Sequence, residues 1–147
     1  MAPLQDQLIR MRHNYEPSRD EIGTIARLHK PRGWRIVQSR RVTGLADSET
    51  HCLYVPFLHS CRALYYLLHE CGHVHLGHLG KRQDLADHLC EYEAEQYAIH
   101  TMRALRIEPG AKLVLEARIY VGQYIEADRK AGVKIDPTVQ KWVGKIR

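Results

Sequence analysis

Five consecutive residues, His69-Glu70-Cys71-Gly72-His73, constrain this chain more than any other stretch of it. Residues four apart on an α-helix project from one face, so a helix here aims both histidines at one point. Two imidazoles at that spacing can grip a single metal ion. Glu70 follows the first histidine directly. It stands beside any water the metal holds and can take that water's proton. A purely structural metal site has little use for such a carboxylate.

The surroundings fit the helix that this reading needs. From Arg62 to Leu79 the residues RALYYLLHECGHVHLGHL form one amphipathic segment. Leu64, Leu67, Leu68, Cys71, Val74 and His75 make an apolar stripe at helical spacing. His69 and His73 fall on the other side, with Tyr66 and Arg62. A helix buried by one stripe and presenting two histidines on another suits a metal site lining a cleft. The order of residue types is the H-E-x-x-H pattern of zinc metallopeptidases. The metzincin extension of that pattern is absent, because Leu76 and Leu79 stand where it needs Gly and His.

A catalytic zinc takes three protein ligands and keeps one position open for water. The third donor is expected from CEYEAEQYAIHTMRAL, residues 90–105, which also reads as a helix. Cys90, Ala94, Tyr97, Ala98, Thr101 and Leu105 make its apolar stripe. Glu95 points away from that stripe toward solvent. Glu91 and Glu93 flank it on opposite sides. Glu93 shares its flank with Gln96 and His100 and is the favoured ligand, with Glu91 next. His88 is a further rival, since a later histidine is the third ligand in SprT-like proteases. His75 reads as a core residue, and His78 as a cation at the helix end.

The two motifs together resemble the ImmA/IrrE group of metallopeptidases, whose usual pattern is H-E-x-G-H and then E-A-N-x-F-A on the next helix. Gly72 takes the glycine position, and Glu93, Ala94, Tyr97 and Ala98 match the second motif. Glu95 replaces the usual Asn, and Tyr97 the usual Phe. The resemblance spans about residues 50–105. It implies that His69, His73 and Glu93 bind one zinc per chain and that Glu70 is the catalytic base. It also implies a cytosolic protein target such as a transcriptional repressor, and carriage on phages or mobile elements. His100 and Tyr66 are candidates for stabilising the transition state or supporting the ligands.

The remaining sequence sets bounds. At 147 residues the chain reads as a single zincin-like domain, residues 1–147. No apolar run can span a membrane and no signal-peptide hydrophobic region opens the chain, so a cytoplasmic location is expected. Cys52, Cys61, Cys71 and Cys90 form no C-x-x-C pair and read as reduced thiols. The net charge is +5, with basic flanks around an acidic middle that holds the motifs. Basic flanks admit nucleic acid as a partner beside a protein or peptide substrate. Neither a zinc knuckle nor a helix-turn-helix signature accompanies them.

The expected fold is α+β. Residues 4–14 read as a short helix, and Ser18 caps another that runs to about His29. Strands are expected at Trp34 to Val42 and at Thr50 to Val55, with a loop at Thr43 to Glu49. They would form a small antiparallel sheet packed on the active-site helix, with Thr50 to Tyr54 as the edge along the cleft. A helical C-terminus follows: Ala111 to Ala131, then a short helix opened by Asp136-Pro137 and carrying Trp142. Three function classes follow: a zinc endopeptidase, a SprT-like protease acting on DNA-bound proteins, and a non-enzymatic zinc-binding interaction protein. The intact Glu70 favours the enzymes.

Overall fold

Local capping chemistry starts three of the helices, at Ser18, Ser60 and Asp136. In the computed structural model, which describes residues 15–144, the Ser18 hydroxyl accepts the Glu21 N–H at 3.2 Å. The Glu21 carboxylate accepts the Ser18 N–H at 3.2 Å in return. This closed capping box opens α1 (Arg19–His29), which buries Ile22 and Ala26. The expected helix at 4–14 lies outside the described residues. Three short strands follow, β1 (Arg35–Ser39), β2 (Leu45–Asp47) and β3 (Cys52–Pro56). Ser60 then caps α2 (Cys61–His75) through a 3.1 Å bond from the Ala63 N–H. After it come α3 (Asp87–Ala104), α4 (Ala111–Lys130) and α5 (Pro137–Val143). The described residues thus form an α+β arrangement of five helices and a three-stranded sheet.

The sheet departs from expectation in three ways. It is mixed, because β1 runs parallel to β3 (Arg35 opposite Cys52, Ser39 opposite Pro56) while β2 runs antiparallel to it. β3, expected at the edge, is central in the order β1-β3-β2. The edge strand β2 lies inside the segment read as a loop. Three residues between Gly44 and an Asp47 turn offer too few alternations to register as a strand. That turn is built by Asp47 Oδ1 accepting the Glu49 N–H at 2.9 Å and by Thr50 Oγ1 donating to Asp47 Oδ2 at 2.9 Å.

Leu53 and Val55 of the central strand meet Leu64, Leu67, Leu68 and Cys71 of α2 in the main core, which Ala98, Ile99 and Met102 of α3 complete. α2 and α3 approach closely at Gly72, where a Cβ would stand 3.1 Å from that of Tyr97. α2 ends at His75, short of the expected Leu79, and 76–86 turns back toward α3. A second apolar cluster of Val121, Ile125, Val139 and Val143 joins α4 to α5, and Trp142 packs against both clusters. Among the described residues no helix is long and apolar enough to cross a membrane.

The first turn of α3 has no cap of its own. A carboxylate from another helix supplies one. Asp128 Oδ2, near the end of α4, accepts the His88 N–H at 3.0 Å and the His88 ring Nδ1–H at 2.6 Å. The other ring nitrogen, Nε2, accepts the Asp136 N–H at 3.1 Å. His88 is 1% exposed and both its nitrogens are spent on this tie between α3, α4 and the start of α5. Burial pushes the Asp128 carboxyl up, but the two donors of His88 outweigh it and hold it below its ordinary value. Removing a charged acceptor of two buried donors costs about 2–3 kcal/mol. Asp128→Ala should therefore lower urea-unfolding stability by about that amount at neutral pH. The difference from wild type should be complete above the ordinary carboxylate pKa and should shrink as the pH falls through the depressed one.

Candidate metal centre

The α2–α3 contact brings three metal-donor side chains to one point. His69 Nε2 and His73 Nε2 stand 3.0 Å apart. Glu91 Oε2 lies 3.1 Å from the first and 3.4 Å from the second. A tetrahedral zinc with bonds of about 2.0 Å holds its ligand atoms roughly 3.3 Å apart, so this triangle has the right size. His69, His73 and Glu91 could hold a metal ion, and no other such group of three occurs among the described residues. Glu91 Oε2 is buried with no hydrogen-bond partner. An orphaned carboxylate oxygen between two imidazole nitrogens fits a cation. Burial pushes the Glu91 carboxyl up, but the two histidines outweigh it and draw it down to about 2. Burial pushes the His73 imidazole down, but Glu91 and Glu70 outweigh it and hold it above its ordinary value.

This corrects the expected third ligand. Glu93 does not face the histidine pair. Its carboxylate takes two hydrogen bonds from Arg82, at 2.7 and 2.8 Å. Residues two apart on a helix diverge by about 200°, so Glu91 and Glu93 cannot both face α2. His88, the other rival, is committed to Asp128 and Asp136. That removes the structural basis of the SprT-like arrangement.

Glu95 is also corrected. Expected in solvent, it is 4% exposed, one turn beyond Glu91 on the same face of α3. Its Oε2 accepts the Tyr65 hydroxyl, and its Oε1 lies 3.4 Å from His69 Nδ1. Burial lifts its carboxyl to about 8. Glu95 therefore faces the nitrogen of His69 that does not point at the donor cluster. His78, expected near the helix end, follows it by three residues and is buried, with Nδ1 2.9 Å from His73 Nδ1. His75 is exposed rather than in the core; its Nε2 lies 3.1 Å from the His29 carbonyl, and its ring lies against Tyr97.

Glu70 lies beside this cluster under the edge strand. Burial raises its carboxyl above the ordinary range, although His69 and His73 pull it back. Gly44 keeps room for it, since a Cβ there would stand 2.7 Å from Glu70 Cγ. His69 and Glu70 open on a cavity of about 260 Å³ walled by Thr43, Gly44, Tyr65, Tyr66, Leu113 and Tyr120. Tyr66 lines this cavity, with its hydroxyl accepting from Arg62 at 3.3 Å. His100 is exposed, nine residues along α3 from Glu91, and does not join the site. Tyr120 was not anticipated. Its ring packs edge-on to His69 with centroids 6.0 Å apart, and its hydroxyl is 3.1 Å from that of Tyr124. In the sequence it is one more large residue at helical spacing, and nothing local marks it.

The four cysteines are free, and none lies in the donor group. Burial pushes the Cys71 thiol up to about 12, which suits a packed core residue rather than a ligand. No family model matches the sequence, and no curated protein or solved structure matches it either.

The ligand assignment separates two variants cleanly. Glu91→Ala should abolish stoichiometric zinc in protein dialysed against micromolar zinc, whereas Glu93→Ala should retain about one zinc per chain. Inductively coupled plasma mass spectrometry on both proteins reads the difference, and the reverse result would restore Glu93 as the ligand.

Proposed function

We propose that this chain is a zinc-dependent metalloendopeptidase that hydrolyses a peptide bond in a specific protein target, with one zinc held by His69, His73 and Glu91. The carrying observation is the convergence of these three donors, one of them a buried and unpartnered carboxylate oxygen, with His69 and the adjacent Glu70 opening on a cavity. When bound, zinc would supply a Lewis acid and lower the pKa of a coordinated water toward neutrality.

The residues of the chain divide the remaining work. Glu70 accepts a proton from the attacking water and later delivers it to the leaving amine. Its raised pKa suits a group that must both take and give a proton. Tyr120, whose ring packs on His69 along the cavity, offers a hydroxyl donor for a developing oxyanion, as does Tyr66 on the same cavity. The unpaired side of the edge strand β2, which continues from the cavity-lining Thr43 and Gly44, is where an extended peptide would add as a further strand.

The ImmA/IrrE resemblance supports a regulator such as a repressor as the target. Its second motif marks Glu93 as the ligand, so with Glu91 in that place the support rests on the H-E-x-G-H half alone. Four free cysteines favour a reducing, cytosolic setting.

Two variants separate chemistry from metal binding. Glu70→Gln should keep full zinc content and lose about 10²–10⁴-fold in kcat. Gly44→Ala should lower kcat with zinc retained, because its methyl group displaces Glu70. Both are measured by cleavage of a peptide library with the zinc content of each preparation fixed beforehand. Undiminished cleavage by Glu70→Gln would contradict the assigned base.

A further inference from the structure

The two histidines of the donor cluster are backed by different groups. His69 is backed by the Glu95 carboxylate, which Tyr65 holds. His73 is backed by another histidine. Its Nδ1 lies 2.9 Å from Nδ1 of His78, and two ring nitrogens at that distance share one proton between a donor and an acceptor. Which one donates follows from the site. If Nε2 of His73 serves the metal, its proton resides on Nδ1, so His73 donates and His78 Nδ1 accepts. The proton of the His78 ring must then sit on Nε2.

The surroundings of His78 Nε2 fit that assignment. This nitrogen is buried, has no hydrogen-bond partner, and faces Glu93 Oε2 at 3.7 Å. Glu93 is fixed in turn by the two-pronged bond from Arg82. An acceptor carboxylate in front of Nε2 favours the Nε2–H form of the ring and hence leaves Nδ1 as an acceptor. The His78 side chain is 2% exposed, so water does not compete for either nitrogen. Chain geometry keeps the ring in place: the His78 N–H bonds the His73 carbonyl at 3.0 Å, closing the turn that follows α2.

We propose that His78 is the positioning residue of His73, a hydrogen-bond acceptor whose tautomer is set by the Glu93–Arg82 pair. This rests on the metal-centre reading given above and gives Glu93 a role outside the ligand set. Groups that orient a ligating histidine typically change metal affinity or activity about 10–100-fold when removed. The relay runs His73, His78, Glu93, Arg82.

The test is the zinc affinity of the full chain, measured by competition with a chromophoric chelator, together with long-range ¹H–¹⁵N spectra of the zinc-loaded wild type. His78→Leu removes the acceptor and should weaken zinc binding about 10–100-fold. His78→Asn puts an amide oxygen near the place of Nδ1 and should restore affinity to within a few-fold of wild type. The spectra should show His73 protonated on Nδ1 and His78 protonated on Nε2. That readout uses the wild type alone and stands even if the leucine variant does not fold. Equal affinity in wild type and His78→Leu would overturn the proposal, as would a His78 protonated on Nδ1. Wild-type protein that binds no zinc would overturn the metal centre itself, a failure separate from either of these.

Discussion

Everything at this site depends on the contact between α2 and α3. Gly72 lets the two helices close on each other at Tyr97, and that approach carries Glu91 to His69 and His73. The contact is unusual in what it buries. Helix interfaces normally bury apolar stripes; this one also encloses His69, His73, Glu91, Glu95 and His78. Burying a carboxylate with an unpartnered oxygen is unfavourable by several kcal/mol unless a cation or donors offset it. A metal ion at the donor triangle would supply that offset, and its binding would then be coupled to folding.

The same buried polarity explains what could be read from sequence. The H-E-x-x-H helix was legible because its apolar stripe is long and regular, and Leu64, Leu67, Leu68 and Cys71 are all buried. The Ser18 and Asp136 caps were legible because capping depends on neighbours in the chain. α3 was legible as a helix but not in its orientation. Apolar periodicity points to Cys90, Ala94, Tyr97, Ala98, Thr101 and Leu105; Ala94 and Ala98 are buried, but the buried face continues through His88, Glu95, Ile99 and Met102. A face made partly of glutamate and histidine does not register as buried, so apolar pattern alone favours Glu93 over Glu91 and points Glu95 to solvent. The strand β2 was missed because three residues carry no period. The parallel pairing of β1 with β3 follows from where β2 inserts, which no local pattern encodes. Tyr120 arrives at the cavity from 50 residues beyond Glu70 in the chain, through the packing of α4 on α3.

Two kinds of support hold the donor triangle. Short-range support comes from Glu95 with Tyr65 and from His78 with Glu93 and Arg82, each reaching the far nitrogen of one histidine. Long-range support comes from the His88–Asp128 tie, which anchors the start of α3 one turn before Glu91. Glu70 stands apart from both. It shares α2 with His69 and His73, but its carboxyl packs under the edge strand at Gly44, so the proposed base and the donor nitrogens have different side-chain supports. That separation is why substitutions can be expected to remove hydrolysis and leave the metal in place.

The central claim concerns the identity of the atoms around the metal. X-ray absorption at the zinc edge of protein loaded with one equivalent addresses it directly. The expected spectrum contains two imidazole nitrogens and light oxygen donors at about 2.0–2.1 Å, with no sulfur. A sulfur shell at about 2.3 Å would contradict the account by placing a cysteine on the metal.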